Sequence, residues 1–472
     1  MPAPTSPVSP PASPTTPPAF AARRELWSLW LLAWPILVGQ LANLGMSVVD
    51  VAMAGHASAN DLAGVALGVS IWNIVIITLM GLMMSVAPMV AHHVGAQRFD
   101  QVPPLVRQGL WKGVTVGLLA MLVANAAAQV FHPMKIEPEV RDLALDFVLI
   151  VSFGLPAFAC YRVLYGYAAS LNQTRPLMVI ALGALALNVL VNWLLVFGNA
   201  GFPRMGGLGC AWATLLCVWF NCLCLLLWMR RASAFRSTWP LAQWEWPDAA
   251  QQRALWRLGL PIGVTYFAET SAFGLIALLI ASFGAQEVAA HQIALNFVSL
   301  AFMVPLSLGI ALLTRVGQSL GAGDAEGARF RAWLGVRASL VFGVVSGAGI
   351  ALFRHDIAWA YTNDVDVAAR AAQLLLFAAA FQLSDATQVV IASAIRGYKV
   401  SRSPMVIHLT AFWGFSLPLG YVLGLAPDWG PWHTALGAQG FWIALVLGLT
   451  VAAVGLMLLL RRVTLQHLPN PV

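Results

Sequence analysis

Charge is what this sequence has least of. Asp, Glu, Lys and Arg make up 10% of its 472 residues, against the roughly 25% that a soluble domain uses to wet its surface. The apolar set AVILMFWYC accounts for 60%, and mean hydropathy is +0.78. A soluble enzyme, a nucleic-acid-binding module and a disordered scaffold are poor fits to that composition. Cysteine is scarce too. The five present (Cys160, Cys210, Cys217, Cys222 and Cys224) all fall in apolar stretches with no CxxC or Cys/His metal spacing, so they read as packing residues inside helices. His92-His93 and His291 stand near the ends of apolar runs, and no HExxH motif occurs. No resident metal or cofactor is expected.

Long apolar runs, by contrast, fill the chain. Twelve windows follow one another at about 26–54, 62–91, 105–131, 142–170, 176–198, 207–229, 255–283, 288–316, 332–353, 367–395, 404–426 and 436–460. Each can cross a hydrocarbon layer of roughly 30 Å at 1.5 Å per residue. Window four is the least regular, interrupted by Gly154-Leu155-Pro156 and by Arg162. Backbone groups in lipid must be satisfied internally, and no alternating barrel pattern is visible, so the spans are helices. Before them lies a proline-rich stretch with no apolar core after a basic start. It reads as a disordered tail, not a signal peptide.

With the N-terminus in the cytoplasm, twenty of the 26 Lys and Arg fall in inner segments, five (Lys135, Arg141, Arg204, Arg354, Arg370) in outer ones, and Arg162 within or beside window four. That is a strong positive-inside bias. It explains the net charge of +7 without a polyanionic partner. Both termini are expected inside, in a bacterial-type inner membrane, with surrounding lipid as the other partner and the monomer as the working unit.

The chain repeats itself. LAWPILVGQ around Pro35 matches LGLPIGVTY around Pro261, 226 residues later, and the same offset carries Gly95-Ala96 onto Gly321-Ala322. Six helices per half is an even number, so the halves share one orientation and are related by an axis along the membrane normal. The expectation is an all-α polytopic membrane protein of 12 transmembrane helices in two pseudo-symmetric six-helix lobes. Its divisions are a tail at 1–22, an N-lobe at 23–231, a cytoplasmic linker at 232–254, a C-lobe at 255–462 and a C-terminal tail at 463–472.

Three acids sit where charge is costly: Asp50 in window one, Glu269 in window seven and Asp385 in window ten. A mid-helix charge costs about 2.5–3.5 kcal/mol on insertion scales. With no Lys or Arg assigned to comparable depth, their counter-charge is expected from outside, as a bound cation or a proton. The repeat relative of Glu269 is Asn43, which predicts two unlike cavities. Asn188 and Asn192 share one helix face four residues apart, and Thr214 lies in window six; their oxygens suit Na⁺ or serve as helix-to-helix glue. Gln292 and Asn296 repeat the spacing in window eight, and rings such as Phe267, Phe273, Phe377 and Phe381 could meet a cation.

The stretches VDVAMAGHASANDLAGVALGVSIW, PIGVTYFAETSAFGLIALLIASFGAQEVAAHQIALNF and LLLFAAAFQLSDATQVVIASAIRGYK resemble the MATE (multidrug and toxic compound extrusion) transporters, most of all their NorM branch. That resemblance implies export of small cationic amphiphilic drugs and dyes in exchange for inward Na⁺ or H⁺. It places Glu269 and Asp385 at the second-lobe cation site and Asp50, Asn188, Asn192 and Thr214 at the first-lobe one. Gln292 and Asn296 fall where relatives contact drug, or beside the second-lobe site. Where some NorM-type proteins carry a tyrosine four residues before the helix-ten acid, this chain has Phe381, which removes an oxygen donor and favours H⁺. A flippase for lipid-linked oligosaccharides would need cavity cations for its pyrophosphate, with Arg162 the sole candidate. A membrane-embedded enzyme of the prenyltransferase type would need DDxxD pairs that are missing.

Overall fold

The computed structural model describes residues 18–425 and 435–468. Span one is α1 (Pro18–Ala57), which starts inside the stretch expected as tail; residues 1–17 lie outside the described part. Span two is broken at Met84-Ser85 into α2 (Ala59–Met83) and α3 (Val86–Gly95). Span three is α4 (Val102–Ala128). Span four is α5 (Pro138–Ser152) and α6 (Leu155–Ser170), which meet at a 45° bend. Gly154 and Pro156 flank that bend, and a proline in the first turn of α6 sacrifices no helical hydrogen bond. Spans five and six are α7 (Arg175–Leu195) and α8 (Gly207–Arg231).

In the second half come α9 (Ala249–Ile280), α10 (Ala285–Gly321), α11 (Ala325–Tyr361) and α12 (Val365–Gly397) as spans seven to ten. Span eleven is α13 (Arg402–Leu409) and α14 (Leu417–Leu425), joined by a π-helical segment at Thr410–Ser416. Span twelve is α15 (Ala438–Gln466). Among the described residues, eleven helical stretches are long and apolar enough to cross a membrane, with spans two and eleven each counted as one, and the bent pair of span four makes twelve.

The halves pack alike. Span four touches spans two, three and six, and span ten touches eight, nine and twelve. Between the halves, α1 packs on α10 and α2 on α9, so a contact of span one with span eight recurs as span seven with span two. This is the isologous pairing of a two-fold axis. Backbone detail follows it as well. Left-handed turns stand at Gln97 and Gly323, and again at Asn172 and Lys399, offsets of 226 and 227.

The halves come closest where the C-terminal ends of α3 and α10 cross. A Cβ on Gly95 would lie 1.9 Å from the Gln318 carbonyl oxygen, and one on Gly321 would lie 2.1 Å from that of His92. Only glycine permits either approach. His92 and Gln318 are themselves repeat mates, 226 apart, and their side chains complete the symmetry. His92 Nε2 lies 2.9 Å from the Gly397 carbonyl, and Gln318 Nε2 donates to the Ser170 carbonyl at 2.9 Å.

Further ties lie at this same arginine-rich end. Arg315 makes a two-pronged hydrogen-bonded pair with Glu25, and Lys112 Nζ donates to the carbonyls of Leu82 and Leu255. Among the described residues, every side-chain hydrogen bond between the halves is found here. The segment between α8 and α9 is no loose tether. Two 3-10 turns, Ser233–Thr238 and Pro240–Ala242, fold it back onto the first half. Tyr167 Oη donates to the Thr238 carbonyl at 2.7 Å, Arg107 binds Pro240 O and Glu245, and Trp111 stacks on Trp246.

Candidate functional site

In the first half, α1 carries Asp50 inward to meet α7 and α8. Asp50 Oδ1 accepts from Asn188 Nδ2 at 3.0 Å and Asn192 Nδ2 at 2.7 Å, while Oδ2 accepts from Thr214 Oγ1 at 2.9 Å. The i, i+4 pair on α7 thus grips one oxygen and α8 the other. Asp50, Asn188 and Asn192 are all buried, and the two amide oxygens have no partner. Three neutral donors stabilise the carboxylate without cancelling its charge, and two idle oxygens stand beside it. The four residues expected together are together.

They open onto a cavity of about 240 Å³ walled by Asn43, Trp72, Phe158, Tyr161 and Arg162 as well as Asp50. Arg162 corrects the expectation that no cation shares the depth of the acids. The residue is 9% exposed, and its guanidinium lies 4.7 Å over the Tyr165 ring. Two further cations counted with the inner segments, Lys112 and Arg396, are also buried, the latter over the ring of Tyr266 at 5.1 Å. Among the described residues, none of them forms an ion pair with Asp50, Glu269 or Asp385.

The second half is built differently. Glu269 on α9 and Asp385 on α12 share one amide: Gln388 Nε2 reaches Glu269 Oε1 at 3.4 Å and Asp385 Oδ1 at 3.3 Å. On its other side, Gln388 Oε1 lies 2.8 Å from Nε2 of His408, a fully enclosed ring on α13. His408 Nδ1 lies 2.8 Å from the Pro404 carbonyl, so Nδ1 carries a hydrogen and donates it. Nε2 then meets Gln388 in one of two ways. It donates, with the ring charged and the amide as placed, or it accepts, with the amide turned over. The chain Pro404–His408–Gln388–acid pair therefore admits two hydrogen-bond settings.

Sequence reasoning missed Gln388 and His408. The signals were available: Gln388 follows Asp385 by three residues on one helix face, and His408 interrupts an apolar window. Phe381, expected at a cavity wall, is instead 2% exposed and packed between Phe273 and Trp442, where it belongs to the core of the second half. Gln292 and Asn296 bond each other weakly at 3.5 Å and stay outside the Glu269–Asp385 cluster. His291 accepts from Trp442 Nε1 at 3.1 Å and is structural. The cysteines are free, and Cys210 Sγ donates to the Asp50 carbonyl at 3.5 Å. Among the described residues no group of three or more His, Cys, Asp or Glu could hold a metal ion.

Twelve helices in two like halves, with carboxylates held at depth in each, define a polytopic membrane transporter. The chain belongs to the MatE family, in its NorM-like branch: the family model matches residues 35–194 and 261–422, one stretch in each half. It is 44% identical over 441 residues to the Multidrug resistance protein PmpM of Pseudomonas aeruginosa, covering 93% of this chain and 92% of that protein. It is 42% identical over 438 residues to the Probable multidrug resistance protein NorM of Chromobacterium violaceum, covering 93% and 94%. The fold is shared with a eukaryotic MATE transporter (TM-score 0.85, 20% identity, 95% of this chain and 100% of that one). It is shared also with a MOP superfamily transporter from Pyrococcus furiosus (TM-score 0.83, 17% identity, 93% and 96%).

Proposed function

We propose that the protein is a secondary active multidrug efflux antiporter of a bacterial-type inner membrane. It exports cationic amphiphilic drugs and dyes in exchange for Na⁺ or H⁺ moving inward, with both termini in the cytoplasm. The names of the multidrug resistance relatives support this reading. The observation that carries it is the Glu269–Asp385 pair, two carboxylates at membrane depth that share one amide and, among the described residues, form no ion pair. Their mutual repulsion is relieved by a single positive charge from outside, and a lipophilic drug and a small ion can each supply it. Occupation by one excludes the other, and each favours a different state of the halves, which is all that antiport requires.

With the arginine-rich end taken as cytoplasmic, the fastening of the halves there supports reading this as the state in which drug leaves and ion enters. In the second half the shared amide presents its N–H groups to the acids, and Phe381 adds no oxygen. That donor set suits H⁺. In the first half, Asp50, Thr214 and the two idle amide oxygens form the better Na⁺ shell. No step needs a cofactor. Ethidium efflux from everted vesicles, with Na⁺ and pH gradients imposed separately, tests the reading. Efflux driven by the pH gradient alone is the expected result, and efflux indifferent to both gradients sinks it.

A further inference from the structure

The seam between the halves is plugged on one flank and open on the other. Lys112 on α4 is buried, and its Nζ donates to the carbonyls of Leu82 at 2.8 Å and Leu255 at 3.2 Å, 5.0 Å from the centre of the Trp256 ring. Gly259 makes room for it: a Cβ there would come within 2.4 Å of Nζ. At the offset of 226 the mate of Lys112 is Ala338, and those of Leu82, Leu255, Trp256 and Gly259 are Leu308, Leu29, Trp30 and Ala33. Packing fixes that register on both sides. Gly109 and Gly335 are mates and pack on mates, Val86 and Leu312, while Gly117 and Gly343 likewise meet Pro156 and Leu383.

The butylammonium chain that fills one crevice is thus cut back to a methyl group in the other. What it leaves is an apolar groove of about 160 Å³ between α1, α10 and α11, with Trp30, Ala33, Leu308 and Ala338 in its walls. Along α1 the groove runs from Leu26 to Leu37, roughly 16 Å at 1.5 Å per residue. That is about half of a hydrocarbon layer of roughly 30 Å, the depth of one leaflet. Leu26 and Trp30 are exposed, so the groove opens toward lipid.

Its mouth is cationic. Arg23 precedes Leu26 by three residues on the same face of α1, and Arg337 adjoins Ala338 on α11. Both are exposed, and among the described residues neither forms an ion pair. Glu25, the nearby acid, is taken up by Arg315 and Arg331. The mate of Arg337 is Trp111, which donates to the Glu245 carbonyl just ahead of α9; by the same register Arg337 stands level with the start of α1.

We propose that the groove seats one acyl chain of an anionic phospholipid from the leaflet at the arginine-rich end, with the lipid phosphate held between Arg23 and Arg337. Any lipid-facing crevice meets hydrocarbon; the unpaired arginines at this mouth select for negative charge. The chain lies against α1 of one half and α10 and α11 of the other, bridging the seam as Lys112 bridges its counterpart. The inference needs no particular cargo or coupling ion, so it stands or falls apart from the antiport reading.

The test places the purified full chain in phosphatidylcholine nanodiscs with a trace of phosphatidylglycerol, or of phosphatidylcholine, bearing a photoreactive diazirine in its acyl chain. Adducts are mapped by peptide mass spectrometry. Phosphatidylglycerol should label residues 26–37 and 304–308 several-fold more than phosphatidylcholine does; equal labelling overturns the proposal. Arg23→Gln and Arg337→Gln should each lower the phosphatidylglycerol signal about fivefold and leave the phosphatidylcholine signal as it was; no loss in either overturns it. Ala338→Met refills the groove, and Ala33→Gly with Ala338→Lys copies the first-half plug. Each should remove both signals while the thermal midpoint is kept. Labelling that persists in both plugged variants would mean that the chains touch an outer face and not the groove. No adduct from either lipid in the unsubstituted protein would give the groove to another occupant, such as a second copy of the chain, and overturn the proposal as well.

Discussion

The two halves agree in backbone and disagree in charge. Their helices pack by one plan, and their glycines and left-handed turns recur at matching positions. Yet the first half holds one carboxylate saturated by three donors beside a free guanidinium. The second holds two carboxylates drawing on one amide. The one acid has its acceptor sites filled by three donors; the pair has a single amide N–H group between two carboxylates. On the proposed antiport reading the labour divides, with the second half as the part that switches and the first as the part that holds.

The sharpest way to break that contrast is to neutralise the switch. Asp385→Asn and Glu269→Gln should each reduce ethidium efflux to background, roughly 100-fold, with normal amounts of protein in the membrane; full efflux in either would erase the distinction. Agreement between the halves is tested next. Gly95→Val and Gly321→Val each drive a side chain into the opposing carbonyl. Both should open the arginine-rich end, raise labelling of a cysteine placed beside it and cut efflux by about tenfold, and by equal amounts if the axis is real.

Asp50→Asn should behave differently from its second-half counterparts. It leaves three donors facing an amide, so thermal unfolding of the purified protein should show a loss of about 1–3 kcal/mol with efflux reduced but present. The smallest effect expected is at His408→Phe. Removing the second hydrogen-bond setting of Gln388 should leave maximal efflux intact and shift its pH midpoint by about 0.5–1 unit, the equivalent of roughly 1 kcal/mol. An unchanged midpoint would show that His408 does not read the acid pair.

Much of this was legible in the chain, for identifiable reasons. Twelve spans show in composition because lipid tolerates little else, and Gly154-Leu155-Pro156 announces the bend in span four. The break at Met84-Ser85 and the π-helical turn at Thr410–Ser416 carry no such marker, and neither was foreseen. The three acids within apolar windows stood out by cost alone. Their partners did not: the spacing of Asn188 and Asn192 states that they share a face, and only the fold states that the face is turned to Asp50. Arg162 was counted as a nuisance within its window, because a sequence cannot say whether a cation at depth is paired. The buried positions of Lys112 and Arg396 were hidden for the same reason, since closeness to a helix end resembles exposure.

The reciprocal crossing at Gly95 and Gly321 has a consequence for how such a chain can be assembled. An edge that accepts its own copy needs no tether to find it. Residues 1–248 and 249–472, produced as separate polypeptides in one membrane, should therefore recombine into a working whole, with the fastening at the arginine-rich end acting as the seam.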